Sequence, residues 1–323
     1  MNILYIFGNG FDKAQGMKTS YPEFYKYLMN NSDACSPLFQ KMIQEIKADK
    51  ELWSDMEVAF GQFTSSIKNA TELEELYFEL SDFLQQYLKI EDDAFAPSDN
   101  LKNKFVDDLL NYGKYLGATD LLRYRKYLDQ FTGMKDISIM TLNYTKTIEK
   151  LLTPLGRSGD RDFGGNRYLR QIIHVHGVLD DSIIVGVDND DQIANESFKS
   201  NVDIKDFIVK NQSNIVMKYT RSLICEDLIR NANLIILYGV SLGETDNRWW
   251  KLIGEQLKTR KNLSIIQYIY MKKALSATRK HLTGQIERKQ TELLMQRMGF
   301  SKNNMPVNVA NQLFFVLNSN AFK

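Results

Sequence analysis

Four short stretches carry residue types that chemistry uses, and each stands directly behind a run of β-favouring residues. Gly8-Asn9-Gly10-Phe11-Asp12, with Gly16 beyond it, has glycines that let a backbone turn sharply and approach a pyrophosphate while N–H groups supply the counter-dipole. The same letters also spell a plain tight turn, and Asp12 would serve to orient a ribose hydroxyl or to cap a helix. In Thr141-Leu142-Asn143-Tyr144-Thr145 the Asn143 amide offers a donor and acceptors to a sugar hydroxyl or a water, or closes a turn, as a strand-end Asn often does. His174-Val175-His176-Gly177 holds two of the three histidines. Alternation along a strand would send both rings to one face, with Gly177 ending the strand where His176 enters a pocket. An imidazole there titrates near neutrality and takes a proton from a hydroxyl or water. The competing reading is a buried structural histidine, which suits His174 better, and a metal would need a third ligand that the pattern does not supply.

The fourth stretch is Tyr238-Gly239-Val240-Ser241-Leu242-Gly243-Glu244-Thr245-Asp246. A strand ending in Gly239 and Ser241 before an acidic helix start suits a loop that wraps the adenosine half of a nucleotide. Asp246 belongs either to that loop or to a favourable first helical turn. Trp249 and Trp250 read as core or interface. Farther back, Trp53-Ser54-Asp55-Met56-Glu57 sets Trp53 and Glu57 one helical turn apart; Glu57 reaches the pocket only if its helix packs over the sheet edge, and otherwise is an exposed carboxylate.

The elements that must position these residues follow from hydrophobic patterning. Ile3–Phe7 is a fully apolar run ended by glycine, as a buried strand should be. From Tyr21 to about Phe131, Leu, Phe, Tyr and Met recur at three- and four-residue spacing among charged residues, which predicts helices, with Leu73–Leu88 and Leu101–Leu116 the plainest and Ser98 or Asp99 capping the second. Strands are predicted again at Ile137–Thr141, Gln171–Val175, Ser182–Val185, Leu234–Tyr238, Leu263–Ile269 and Asn311–Leu317. Helical patterns at Ile204–Ile229, Glu244–Leu257 and Lys272–Met298 separate most of them, with loops at Arg157–Arg167 and Asp188–Ser200. Alternating apolar strands and helices predict an α/β fold, a Rossmann-like doubly wound, mostly parallel sheet over residues 1–20 and 132–323, with a large helical insertion at 21–131. All four motifs then fall at the carboxyl edge of the sheet, where such folds bind ligands.

Composition narrows the function classes. Forty-one basic against forty acidic residues in a chain of 323 leave no global field to draw it onto nucleic acid or an anionic membrane. No stretch reaches spanning length, and the apolar Met1–Phe7 run is too short for a signal sequence, so a cytoplasmic location is expected. Two cysteines, Cys35 and Cys225, far apart, build neither a disulfide framework nor a zinc knuckle and are expected to be buried thiols. The basic tract Arg279–Lys289 reads as a solvated helix face.

Taken in order, GNGFD, WxDxE, NYT, HxHG and YGxSLxxxD resemble the bacterial abortive infection AbiH family across Gly8 to Asp246. That family in turn resembles sirtuin-like NAD-binding domains: Gly8, Gly10 and Gly16 match the spacing of their glycine loop, Thr141 and Asn143 their TxNxD motif, His176-Gly177 their HG and Gly239 with Ser241 their late loop. The resemblance implies an anti-phage effector that hydrolyses the nicotinamide–ribose bond of NAD, with Asn143 and His176 catalytic. Gly8, Asn9, Gly10, Phe11, Asp12, Thr141, Gly177, Gly239, Ser241 and Asp246 would bind the nucleotide, without a metal. The alternatives are ADP-ribosyl transfer and a non-catalytic nucleotide-sensing module that acts on a protein partner. A phage-derived protein trigger and a homo-oligomer are the partners such a role implies. The chain departs from the sirtuin-like pattern where Asp12 replaces a serine, Lys18 a proline and Thr145 the TxNxD aspartate, which leaves the ribose contacts open. Two cysteines also cannot form the four-cysteine zinc module of a deacylase, so deacylation is not expected.

Overall fold

The apolar runs pair with one another because each is buried on both sides. The computed structural model describes residues 1–32, 35–271, 282–301, 307–317 and 319–323. Among these, β1 (Asn2–Phe7), β2 (Lys135–Thr141), β3 (Arg161–Asp162), β4 (Arg167–His174), β5 (Leu234–Tyr238), β6 (Ser264–Ile269) and β7 (Leu313–Leu317) form one sheet in the order β3-β4-β2-β1-β5-β6-β7. Every neighbouring pair is parallel except β3 with β4. The chain runs outward from β1 to β4, then returns to β5 and runs outward on the other side. The topological switch point, where open α/β sheets part their loops to bind ligands, therefore lies between β1 and β5.

Strand alternation divides β1 between two cores. Ile3, Tyr5 and Phe7 pack with Phe105, Leu109, Tyr112 and Tyr124 from the helices Asp99–Leu110 and Ala118–Leu128 and their surroundings. Leu4 and Ile6 pack with Trp249, Trp250, Ile253 and Leu257 of the helix Asn247–Thr259 and with Leu294 of Thr283–Arg297. Each such side chain contributes about 1.5–3 kcal/mol by leaving water, so a strand with no polar face is the stable solution here. A third core lies apart from these two: Phe24, Phe39, Trp53, Phe60, Leu76 and Leu80 of the helical block meet Leu179, Ile183, Val185, Val187 and Ile208.

Several expectations are corrected. Ser182–Val185 forms no strand; it has one bridge, Gly177 to Ile183, and Ile183 and Val185 join the third core instead of the sheet. The pattern Ile204–Ile229 is not one helix but Val202–Ile208, Lys210–Val216 and Arg221–Asn231, because Val209 turns extended and bridges Val187. The expected loop Arg157–Arg167 contains β3, and β4 begins earlier than the apolar run. The helix expected over Leu101–Leu116 ends at Leu110, and the loop Asp188–Ser200 includes the short helix Glu196–Lys199. The start of the Lys272–Met298 pattern, and Arg279 and Lys280 of the basic tract, lie outside the described residues. Cys225 is buried but Cys35 is partly exposed, and they form no disulfide. Among the described residues no helix is long and apolar enough to cross a membrane.

Candidate functional site

The two glycine loops at the switch point lock together. Gly8 N–H donates to the Tyr238 carbonyl at 3.0 Å and Gly10 N–H to the Gly239 carbonyl at 2.9 Å. A Cβ on Gly10 would lie 2.6 Å from the Gly239 Cα, and one on Gly239, whose φ is +68°, would lie 2.4 Å from the Phe11 nitrogen. Only glycine permits this approach. Phe11 is fully buried against Phe7, ring centroids 4.6 Å apart, and Asn9 turns back on Thr19 through its amide and carbonyl oxygen. Ser241 is exposed, near Gly243.

Beneath the first loop lies a buried polar group. Asp12 is 1 % exposed; its Oδ2 accepts from the Thr145 hydroxyl at 2.6 Å, and Thr147 lies 3.1 Å from Thr145. Burial pushes the Asp12 carboxyl up to about 6, against the pull of Thr145, Thr147 and Asn143. Asn143 fixes the loop from the β2 end: its amide donates to the Gly8 carbonyl at 3.2 Å, and its own N–H donates to the hydroxyl of the buried Thr141 at 3.1 Å.

The two histidines separate. β4 stops at His174, and Val175-His176 enters a turn closed by Gly177, with φ +88° and its N–H on the His174 carbonyl. His174 and His176 therefore do not share a strand face as alternation alone would have it. His174 lies between the Asn143 carbonyl and Glu149, each at 2.8 Å, as a structural clamp. His176 Nε2 meets Asp246 Oδ1 at 2.8 Å, while its Nδ1 is buried without a hydrogen-bond partner. Asn143 and His176 thus stand behind adjacent strands with different partners.

Asp246 ends a short turn of 3-10 helix and occupies the N-cap position of Asn247–Thr259, but its side chain makes no cap bond. It is directed inward, 3.7 Å from Lys210 Nζ, and Lys210 lies 2.9 Å from Glu57 Oε2. Glu57 does reach the edge, because the helix Met56–Phe63, capped by Asp55, packs through Gly61 against the Gln192 carbonyl. The resulting chain is His176, Asp246, Lys210, Glu57. Burial would favour neutral forms throughout, and the charges decide which groups yield. Burial raises Asp246, but Lys210 and His176 outweigh it and hold the carboxyl far below its usual range. Burial lowers Lys210, but Asp246 and Glu57 outweigh it and keep the ammonium. Glu57 gives way, pushed up to about 7 by burial over the pull of Lys210. His176 is lowered by burial and by Lys210 despite Asp246, which favours the neutral ring.

His176, Asp188, Lys210, Asn211, Asn214 and Arg248 border a cavity of about 10 Å³. Lys210 gave no signal in the sequence. A lysine in a charged helical pattern reads as surface, and the turn at Val209 that sends it inward contains neither Gly nor Pro. Trp249 and Trp250 are core, as expected. Among the described residues no group of three or more His, Cys, Asp or Glu side chains is arranged to hold a metal ion.

The seven-stranded, mostly parallel sheet, with the buried chain from His176 to Glu57 at its carboxyl edge, defines an α/β protein of the doubly wound class. More particularly, the chain belongs to the family described as Bacteriophage abortive infection AbiH, whose model matches residues 4–268 and so includes every residue of the chain from His176 to Glu57. It is an abortive-infection, anti-phage protein. No curated protein matches the chain.

Proposed function

We propose that this protein hydrolyses the nicotinamide–ribose bond of NAD, with His176 as the base. One observation carries the reading: the imidazole is hydrogen-bonded on one side and unpartnered on the other. Asp246 accepts Nε2–H at 2.8 Å, which fixes the tautomer and leaves the buried Nδ1 lone pair without a partner on a ring that borders the cavity. A cavity of about 10 Å³ is the size of one water. Water held there would lose a proton to Nδ1 as its oxygen bonds to the ribose C1′, and the C1′–N bond would break with its electron pair leaving on nicotinamide. Nicotinamide departs neutral from a pyridinium, so no general acid is required. Asp246 then stabilises the imidazolium. Asn143 would act from the neighbouring strand end by holding the Gly8 loop and the ribose in place.

Two departures from the sirtuin-like pattern, which leave the ribose contacts open, meet in the structure. Asp12 stands where that pattern has serine and Thr145 where it has aspartate, and these two are partners in one 2.6 Å hydrogen bond. Consumption of NAD would also be a toxic act of the kind that abortive infection requires.

The test is nicotinamide release from NAD by the native chain, His176→Ala and Asn143→Ala. A positioned base contributes about 100- to 10,000-fold, and His176→Ala should lose that much while remaining folded. Full turnover by that variant would refute the assignment. Label from isotopic NAD found on protein instead of in free ADP-ribose would move the reading to transfer, and binding without consumption would move it to sensing.

A further inference from the structure

The buried cation beside His176 is already neutralised from inside the protein. Lys210 Nζ takes Glu57 at 2.9 Å and Asp246 at 3.7 Å, and Arg248, held by Asn211 and Glu226 and stacked 4.5 Å over the Trp249 ring, borders the same cavity. Two cations face a space of about 10 Å³, whereas small-molecule sites occupy roughly 300 Å³ or more. A nucleotide therefore enters only if something withdraws. We propose that Lys210 and Arg248 form the subsite for the phosphates of a nucleotide, and that the Glu57 carboxylate holds that position until the ligand displaces it. This rests on the nucleotide reading above, and adds which residues bind the anion and what they bind beforehand.

Three features favour Glu57 as the group that leaves. It arrives on the helix Met56–Phe63, outside the sheet, whereas Asp246 comes from the loop behind β5. Its helix is tied to the loop at Gln192 and Ala194 through Gly61, so a shift of one is transmitted to the other. Burial already raises Glu57 to about 7, so it can depart as a neutral acid while Asp246 keeps the ammonium compensated. A lysine point charge and an arginine fork are the side chains that phosphates select.

The experiment is calorimetric titration of the full chain with ADP-ribose and, separately, with adenosine, which lacks phosphate. Glu57→Gln should bind ADP-ribose about ten- to a hundredfold more tightly than the native protein, the span of one charge-assisted hydrogen bond, with adenosine affinity unchanged. Adding Lys210→Gln to that variant should remove the gain. Unchanged or weaker ADP-ribose binding by Glu57→Gln, or an equal gain for adenosine, would overturn the proposal. Thermal unfolding checks that each variant is folded, and Glu57→Ala replaces Glu57→Gln should the latter not fold. Nicotinamide release is read separately. Tighter ADP-ribose binding without NAD turnover retains the subsite and removes hydrolysis; turnover with unaltered ADP-ribose binding does the reverse.

Discussion

Glu57→Gln offers a direct measure of how the buried chain shares its charge. The native carboxyl is raised from 4.5 to about 7 by burial, and at 1.36 kcal/mol per unit this corresponds to about 3 kcal/mol. The sign follows from proton binding. The folded state holds the Glu57 proton more tightly than the unfolded chain, so the contribution is fully present below about 4.5 and is lost as pH rises through about 7. Glutamine has the same shape and never ionises. Native stability measured against Glu57→Gln should therefore fall by about 3 kcal/mol between pH 4.5 and 8 and level off above. Denaturant unfolding followed by tryptophan fluorescence is suitable, since Trp53 is buried in the same helical core. Asp12, raised to about 6, titrates in both proteins and cancels in the difference. A difference that is flat with pH, or that favours the native protein as pH rises, would refute the reasoning, because it would mean that Lys210 overrides burial and keeps Glu57 ionised.

Three further outcomes are expected. Lys210→Met should destabilise the protein by about 3–5 kcal/mol at pH 7, because Asp246 and Glu57 lose the buried cation between them; a loss below 1 kcal/mol would show that water reaches the site. Gly16→Ala, at φ +86° with nothing within 4 Å, should cost about 1 kcal/mol, whereas Gly239→Ala, at φ +68° and 2.4 Å from the Phe11 nitrogen, should cost about 3 kcal/mol or more. Equal costs in thermal unfolding would contradict the loop interlock. Thr145→Val should cost about 2 kcal/mol at pH 8 and less at pH 5, where Asp12 is protonated and its bond to the hydroxyl weakens.

The sheet was legible because burial on both faces writes strands as unbroken apolar runs: β5 falls where Leu234–Tyr238 predicts it, and β1 starts one residue early. Ser182–Val185 has the same signature for another reason, burial against helices, which periodicity does not distinguish from burial in a sheet. His176 and Asp246 could be singled out because they follow strands. Their pairing could not, since it depends on β4 stopping at His174 and on Asp246 not capping its helix. Glu57 was an open alternative that packing at Gly61 decides. Lys210 was invisible, because its inward course comes from a backbone bridge, Val187 to Val209, that no single residue type announces.

The third core joins stretches that are far apart along the chain, Phe24 to Leu88 on one side and Leu179 to Val209 on the other. Neither stretch can be trimmed away without leaving the other greasy and wet. A chain lacking residues 21–94 would not be a smaller working protein but an aggregation hazard, and the same cut would remove Glu57 while stranding Lys210. Protease nicking of the native fold should accordingly leave the two halves associated, cleaved in sequence yet still one particle.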